Sequence, residues 1–342
     1  MHSNTKVRKT INYTFKLLIL LITWWFVYDQ MANEKNMGQV FLKVMDSFGE
    51  QRKILIFCIA VFLMFVNWSF EVFKWKYLLR QLEDVSFWKA YKSVLAGISI
   101  GSITPNRLGD YLGRVFFLEG ENRISGVFAS VLGSMAQLTT TVIMGCLGLL
   151  VFFEKHFFAL FPDYQSWHFI FTPLIVAIGG ITLFCYFGLG QLYSKGKGWL
   201  ERRWPTAASH LEALSHYSSH ELLLVLLLSI SRYLVFTFQL YLFLQLFGLT
   251  LSYLEAMGVI CVLYLFLSFI PSVALSEIGV RGSVSLFLFG LYFGGELGFT
   301  AEHKVAVVGA SSLLWALNLG IPALLGSMMI FYKKRLEKKE KF

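Results

Sequence analysis

Residues 54–73 read ILIFCIAVFLMFVNWSFEVF, a run of twenty residues in which Glu71 is the only charged side chain. An α-helix rises about 1.5 Å per residue, so a helix of this length crosses the roughly 30 Å hydrocarbon core of a bilayer. The stretch therefore predicts a transmembrane helix.

Five other runs have the same character and predict five further spans. They lie at Ile11–Tyr28, Ile124–Phe153, His168–Gly190, Leu222–Gly248 and Val305–Tyr332. The chain has 342 residues and is only 15% charged, whereas soluble domains are usually about one quarter charged. We therefore expect an all-α integral membrane protein, with one transmembrane domain at 1–332 and a basic cytoplasmic tail at 333–342.

Two more apolar stretches, Val85–Leu118 and Leu251–Phe293, are interrupted by proline, glycine and charged residues. Each could cross the membrane once, cross it twice, or re-enter on one face. Cytoplasmic segments are rich in lysine and arginine, and this asymmetry is greatest when both termini are cytoplasmic and both stretches return to their starting face. The sequence thus predicts about six spans and two re-entrant helical hairpins in the cell (inner or plasma) membrane.

The two broken stretches resemble each other. Pro105 follows Ser86 by nineteen residues, and Pro271 follows Ser252 by the same interval. A cluster of acid, glycine and arginine follows each proline. Three spans separate the copies, so the second enters from the opposite face. Unless the match is a chance recurrence among apolar helices, this predicts an inverted repeat of the kind that forms transporter sites near the midplane.

The charged residues after the two prolines are the candidate site. Charge at membrane depth costs about 2.5–3.5 kcal/mol per residue and persists where it faces a cavity or a partner. Arginine binds phosphate bidentately, and carboxylates orient arginine or receive an amine. The candidates for binding a lipid head group are Arg107, Asp110, Arg114, Glu277, Arg281 and Arg232. The alternatives are that these charges only pair with one another and, for Arg232, that it snorkels to the surface.

Four residues are predicted to break the helices beside these charges. Pro105 and Pro271 each remove a backbone donor, and Gly109 and Gly279 loosen the chain that follows. The backbone groups freed there must be satisfied by protein, water or ligand.

The segment TPNRLGD at 104–110, with Arg114 four residues later, resembles the P-G-R-L-G-E/D…R motif of the lysylphosphatidylglycerol synthase transmembrane-region family, also called flippase-like domains. The segment Pro271–Arg281 is similar to the second landmark of that family. It departs in that Glu277 precedes the glycine and arginine, and Gly282 stands where the family often has the acid. The resemblance covers essentially the whole chain and implies translocation of a lipid head group.

In the best-known member, the multiple peptide resistance factor, this domain is joined to an aminoacyltransferase domain. We expect this chain to be a stand-alone member without that domain. The resemblance implies translocation rather than synthesis, with aminoacylated or polyprenyl-phosphate lipids among the possible substrates.

The leading hypothesis is therefore a flippase or scramblase-like transporter of a phospholipid or lipid-linked head group, and not an enzyme. The alternatives are an intramembrane enzyme that uses Asp110 and Glu277, and a non-transporting scaffold of a lipid pathway. We expect anionic or zwitterionic membrane lipids as partners, together with a lipid-synthesising enzyme, and neither nucleic acid, cofactor nor metal. The motifs of zinc proteases, P-loops, serine hydrolases and dinucleotide binding are missing from the sequence.

Overall fold

The computed structural model describes residues 25, 28, 42, 49–104, 107–152, 162–204, 217–271, 274–294 and 298–339. Regular structure in this part of the chain is helical throughout, without a β-strand. The α-helices are α1 (Gln51–Leu79), α2 (Phe87–Ile103), α3 (Leu108–Val115), α4 (Arg123–Phe152), α5 (His168–Phe187), α6 (Leu189–Arg203), α7 (Ser219–Leu246), α8 (Tyr253–Phe269), α9 (Ala274–Tyr292), α10 (Ala301–Trp315) and α11 (Ile321–Lys339). The predicted all-α class is confirmed.

Within the described ranges, five helical segments are long and apolar enough to cross a membrane. They are Gln51–Leu79, Gly120–Phe152, His168–Phe187, Ser219–Leu246 and Ala301–Phe331. The last segment joins α10 to α11 through a π-helical turn at Ala316–Gly320. These segments coincide with five of the six predicted spans, while the span at 11–28 lies outside the described residues except for positions 25 and 28.

The helices α1 and α7 pack against each other in antiparallel orientation. The side chain of Gln239 donates to the carbonyl of Ala60 at 2.8 Å, and Lys74 donates to Ser229 at 3.3 Å. At one end of the pair, Arg80 forms an ion pair with Glu221. Residues later in α1 contact residues earlier in α7, so the two helices run in opposite directions.

The first helices of the two broken stretches match as the predicted repeat requires. Both α2 and α8 contain 17 residues. Ser86 caps α2 by accepting from the backbone N–H of Lys89 at 3.3 Å, and Ser252 caps α8 by accepting from Glu255 at 3.4 Å. A serine that accepts from the third residue of the helix satisfies one of the backbone donors left free at a helix start.

The second helices of the two stretches differ in length. Helix α3 has 8 residues and is about 12 Å long, which is too short to cross a bilayer. Helix α9 has 19 residues and is about 28 Å long. The two stretches are therefore unequal, and their re-entry into the membrane stays a prediction.

The contacts between helices follow a two-fold pattern. In it α1 corresponds to α7, α2 to α8, α3 to α9, and α4 to the pair α10–α11. Helix α2 packs on α11, and its counterpart α8 packs on α4. Helix α3 contacts α4, and α9 contacts α10 in the same way. Because the paired helices α1 and α7 are antiparallel, the two halves have opposite orientations, as expected for an inverted repeat.

Missing side chains allow α2 and α3 to pack backbone against backbone. A Cβ on Gly113 would lie 2.5 Å from the carbonyl oxygen of Ala96, and one on Gly109 would lie 2.6 Å from that of Ile100. Small residues let helices approach closely in membranes, where helix association depends on packing. These glycines place α3, with its charged residues, directly against α2.

We expect Gly113→Ala to destabilise the protein, because the added methyl group meets backbone atoms that cannot move away. The expected loss in the free energy of unfolding is about 1–3 kcal/mol. The matched control is Gly180→Ala in α5, where a Cβ has no atom within 4 Å. Thermal unfolding in detergent should show a lower Tm for the first variant only, and equal Tm values would contradict the packing.

Candidate functional site

Two adjoining cavities lie beside the breaks in the two halves of the chain. The first, of about 480 Å³, is bordered by the α8–α9 break, and the second, of about 330 Å³, by α1, α2 and α3. Residues from both halves line both cavities: Arg107, Gln137, Thr141, Arg232 and Ser268. These five residues mark the junction of the two spaces.

The carboxylate of Glu71 holds three cations in the second cavity. Its Oε1 accepts from Nη1 of Arg114 at 2.7 Å. Its Oε2 lies 2.8 Å from Nζ of Lys74 and 3.2 Å from Nη1 of Arg232. Glu71 is only 3% exposed. Because Lys74, Arg114 and Arg232 belong to α1, α3 and α7, one buried carboxylate joins three helices.

Asp110 completes the environment of Arg114. Its Oδ2 accepts from Nη2 of Arg114 at 2.9 Å and from Nε at 3.0 Å. Its Oδ1 is buried and has no hydrogen-bond partner among the described residues. This oxygen occupies the space that a side chain at Gly97 would take, since a Cβ there would lie 2.3 Å from it. The glycine thus makes room for the carboxylate.

A second charged cluster connects the two halves of the chain through Glu277. Its oxygens accept from Nη2 of Arg107 at 2.7 and 2.8 Å, across 170 residues of sequence. Oε1 also accepts from Nη2 and Nε of Arg281 at 2.7 and 3.0 Å. The side chain of Arg107 is 46% exposed, whereas that of Glu277 is 10% exposed. Arg107 is therefore the most accessible charge of this cluster.

The backbone of Arg107 is in the left-handed region, with φ at 55° and ψ at 24°. It is the only non-glycine residue with positive φ in the described part of the chain. Such a conformation costs on the order of 1–3 kcal/mol and persists where the surroundings impose it. Its position immediately before α3 turns the chain from one arm of the hairpin into the other.

All six predicted binding residues line one or both cavities. Arg107 and Arg232 line both, Asp110 and Arg114 line the second, and Glu277 and Arg281 line the first. Arg232 does not need to snorkel, because it pairs with Glu71 and donates to Gln137 at 3.3 Å. Its guanidinium also lies over the ring of Trp68, 4.9 Å from the centroid. The alternative that the charges pair with one another also describes these contacts, so their role in binding stays a prediction.

The predicted break residues occupy different places. Pro105 lies outside the described residues. Gly109 is in the first turn of α3, where its N–H donates to Thr104 Oγ1 at 2.8 Å. Pro271 lies in the break between α8 and α9, whereas Gly279 lies inside the continuous helix α9.

Sequence reasoning missed the importance of two residues. Neither Glu71 nor Lys74 is among the six predicted binding residues, yet their side chains pair at 2.8 Å in the second cavity. Lys74 lies in α1 and is only 2% exposed. A carboxylate and a lysine three residues apart on an apolar helix are the signal that could have revealed the pair.

The chemistry of the lining suits an oxyanion. Arginine side chains with free N–H groups bind phosphate and carboxylate in a planar, bidentate geometry. Within the described ranges there is no group of three or more His, Cys, Asp or Glu residues that could hold a metal ion.

We expect Glu71→Gln to destabilise the protein strongly, because the buried Lys74 and Arg114 and the partly buried Arg232 lose their shared counter-charge. The expected loss is about 3–5 kcal/mol. The matched control is Glu201→Gln, which removes a half-exposed carboxylate 3.8 Å from Lys197 and should leave the Tm unchanged. A Tm for Glu71→Gln equal to that of the control would show that Glu71 does not hold the helices together.

Comparison with known proteins places the chain in a family. The sequence model described as the lysylphosphatidylglycerol synthase TM region matches residues 14–326. No curated protein and no solved structure shows a significant match. The match covers most of the chain and agrees with the membrane-length helices, so the protein is an integral membrane protein of a lipid-related family. The chain belongs to the lysylphosphatidylglycerol synthase TM region family.

Proposed function

We propose that this protein moves the head group of a phospholipid or lipid-linked molecule between the leaflets of the membrane, as a flippase or scramblase-like transporter. The observation that carries the proposal is the pair of joined, charged cavities among helices long enough to span a bilayer. A polar head group crossing the bilayer needs such an interior, because unpaired charge in hydrocarbon is costly.

The accessible side chain of Arg107 is the proposed first binding point for the head group. Arg107 is bound to Glu277, which also binds Arg281. A phosphate at this point can replace the carboxylate on Arg107, while Arg281 keeps Glu277 neutralised. The head group then meets Arg232, which borders both cavities.

Apolar side chains at the two breaks offer a surface for lipid tails. Ile103 is 82% exposed and Leu108 is 60% exposed on either side of the α2–α3 break, and Phe269 is 71% exposed at the end of α8. Large apolar groups beside a charged cavity suit a molecule whose head group is inside while its chains stay in the bilayer. The proposed location is the cell (inner or plasma) membrane, and the lysine and arginine asymmetry of the sequence supports cytoplasmic termini.

Purified protein reconstituted into vesicles tests the proposal. Movement of labelled anionic, aminoacylated and polyprenyl lipids between leaflets would be followed by protection of the label from a membrane-impermeant quencher. We expect transfer of at least one lipid class above that of empty vesicles. A complete lack of acceleration across the panel would overturn the proposal.

We expect Arg107→Gln and Arg281→Gln to slow this transfer about ten- to hundredfold, the effect of losing a charge-assisted hydrogen bond. The matched control is Arg202→Gln, at an exposed arginine of α6 that binds the carbonyl of Gly198. Transfer rates are compared at equal amounts of folded protein. Full activity of both site variants would contradict the assigned role of the arginines.

The same vesicles distinguish the alternatives. An intramembrane enzyme would convert labelled lipid into a product that chromatography of the extracted lipids detects. A scaffold would neither transfer nor convert lipid, and Arg107→Gln would leave its cellular phenotype intact.

A further inference from the structure

The two cavities contain more positive than negative charge. Among the described residues that line them are five cations and three carboxylates. The carboxylates are Glu71, Asp110 and Glu277. With ordinary protonation the site therefore has two positive charges in excess, in a region where uncompensated charge is expensive.

The contacts show where this excess is located. Arg114 uses both Asp110 and Oε1 of Glu71, and Lys74 takes the shorter contact to Oε2 of Glu71. Nη1 of Arg232 lies 3.2 Å from Oε2 of Glu71, the oxygen that Lys74 also contacts, and 3.3 Å from the neutral amide oxygen of Gln137. The Nε of Arg232 has no hydrogen-bond partner among the described residues. Its charge is therefore only partly compensated.

Arg107 is the second cation with incomplete compensation. It shares the single carboxylate of Glu277 with Arg281, which is the closer neighbour in sequence and contacts it through two nitrogens. Of the charged residues in the described part of the chain, Arg107 and Arg232 alone line both cavities. The two surplus charges thus meet at the junction of the cavities.

We propose that this junction selects a lipid whose head group has close to two negative charges, such as a phosphomonoester or a diphosphate. The proposal rests on the transport function above, because the site is the same. A phosphomonoester has a charge of about −1.5 to −2 at pH 7. It neutralises the excess, whereas a phosphodiester supplies one negative charge and a zwitterionic head group supplies none.

Ligand-induced thermal stabilisation of the full chain in neutral detergent tests this selection. The probes are phosphatidic acid, phosphatidylglycerol and phosphatidylethanolamine with identical acyl chains, together with inorganic phosphate. We expect phosphatidic acid to bind about tenfold more tightly than phosphatidylglycerol, the equivalent of one further paired charge. Equal or tighter binding of phosphatidylglycerol or phosphatidylethanolamine would overturn the selection, and equal stabilisation by inorganic phosphate would overturn a lipid ligand.

The pH dependence provides an independent readout. The second pKa of a phosphomonoester is about 6. Stabilisation by phosphatidic acid should therefore rise between pH 5.5 and 8, relative to phosphatidylglycerol, which keeps one charge throughout. Parallel curves for the two lipids would contradict a requirement for the second charge.

The variant Gln137→Glu places a carboxylate beside Arg232 with almost no change in shape. Because the added charge compensates the excess, we expect a higher Tm without lipid and a smaller stabilisation by phosphatidic acid. A merely structural role for Gln137 would not give opposite signs. The control is Gln191→Glu, at an exposed position of α6. A second site variant, Arg232→Gln, removes a cation and should also reduce the preference for phosphatidic acid. An unchanged preference in both site variants would overturn the proposal.

Transfer assays separate this inference from the transport function. Vesicles that transfer phosphatidic acid and phosphatidylglycerol at equal rates would overturn the selection and leave transport standing. Vesicles that transfer neither, nor any other lipid of the panel, would overturn the transport function itself.

Discussion

The arrangement of the helices depends on the ion pairs that the carboxylate of Glu71 forms with three cations. This carboxylate is buried among apolar helices and contacts Lys74, Arg114 and Arg232 within 3.2 Å. None of these charges can be left alone in a medium of low dielectric constant without a large penalty. Once Glu71 is in place on α1, the positions of α3 and α7 are restricted, and the second cavity forms around the resulting cluster.

The inverted packing explains why residues distant in sequence share one site. Antiparallel α1 and α7 bring the two halves together in opposite orientations, so the break of each half reaches the same region. Arg107 lies at one break and Glu277 near the other, and their ion pair connects the two halves at the junction of the cavities. The left-handed backbone of Arg107 fits this role, since strain of this kind clusters at active sites, ligand clamps and switch regions.

Local sequence rules predicted much of this site. Apolar run length predicted the five spans found in the described residues, and the matched intervals from Ser86 to Pro105 and from Ser252 to Pro271 predicted a repeat, whose first helices both have 17 residues. The i,i+4 pairs Asp110–Arg114 and Glu277–Arg281 were also accessible, because helix geometry alone places such residues on one face. The unequal lengths of the second helices, 8 residues in α3 and 19 in α9, could not be predicted from these local rules.

The amino-acid sequence was sufficient to establish an all-α membrane protein with a repeated, broken, charged element, because hydropathy, proline and short-range spacing are local properties. It could not show that Glu71 pairs with Arg114 and Arg232, or Arg107 with Glu277, because such pairs depend on which helices become neighbours. Lys74 illustrates the difference: a lysine is usually exposed, and only the tertiary packing buries this one, against Glu71 and Ser229. Tertiary structure thus turned a set of separate charges into one site with a surplus of positive charge.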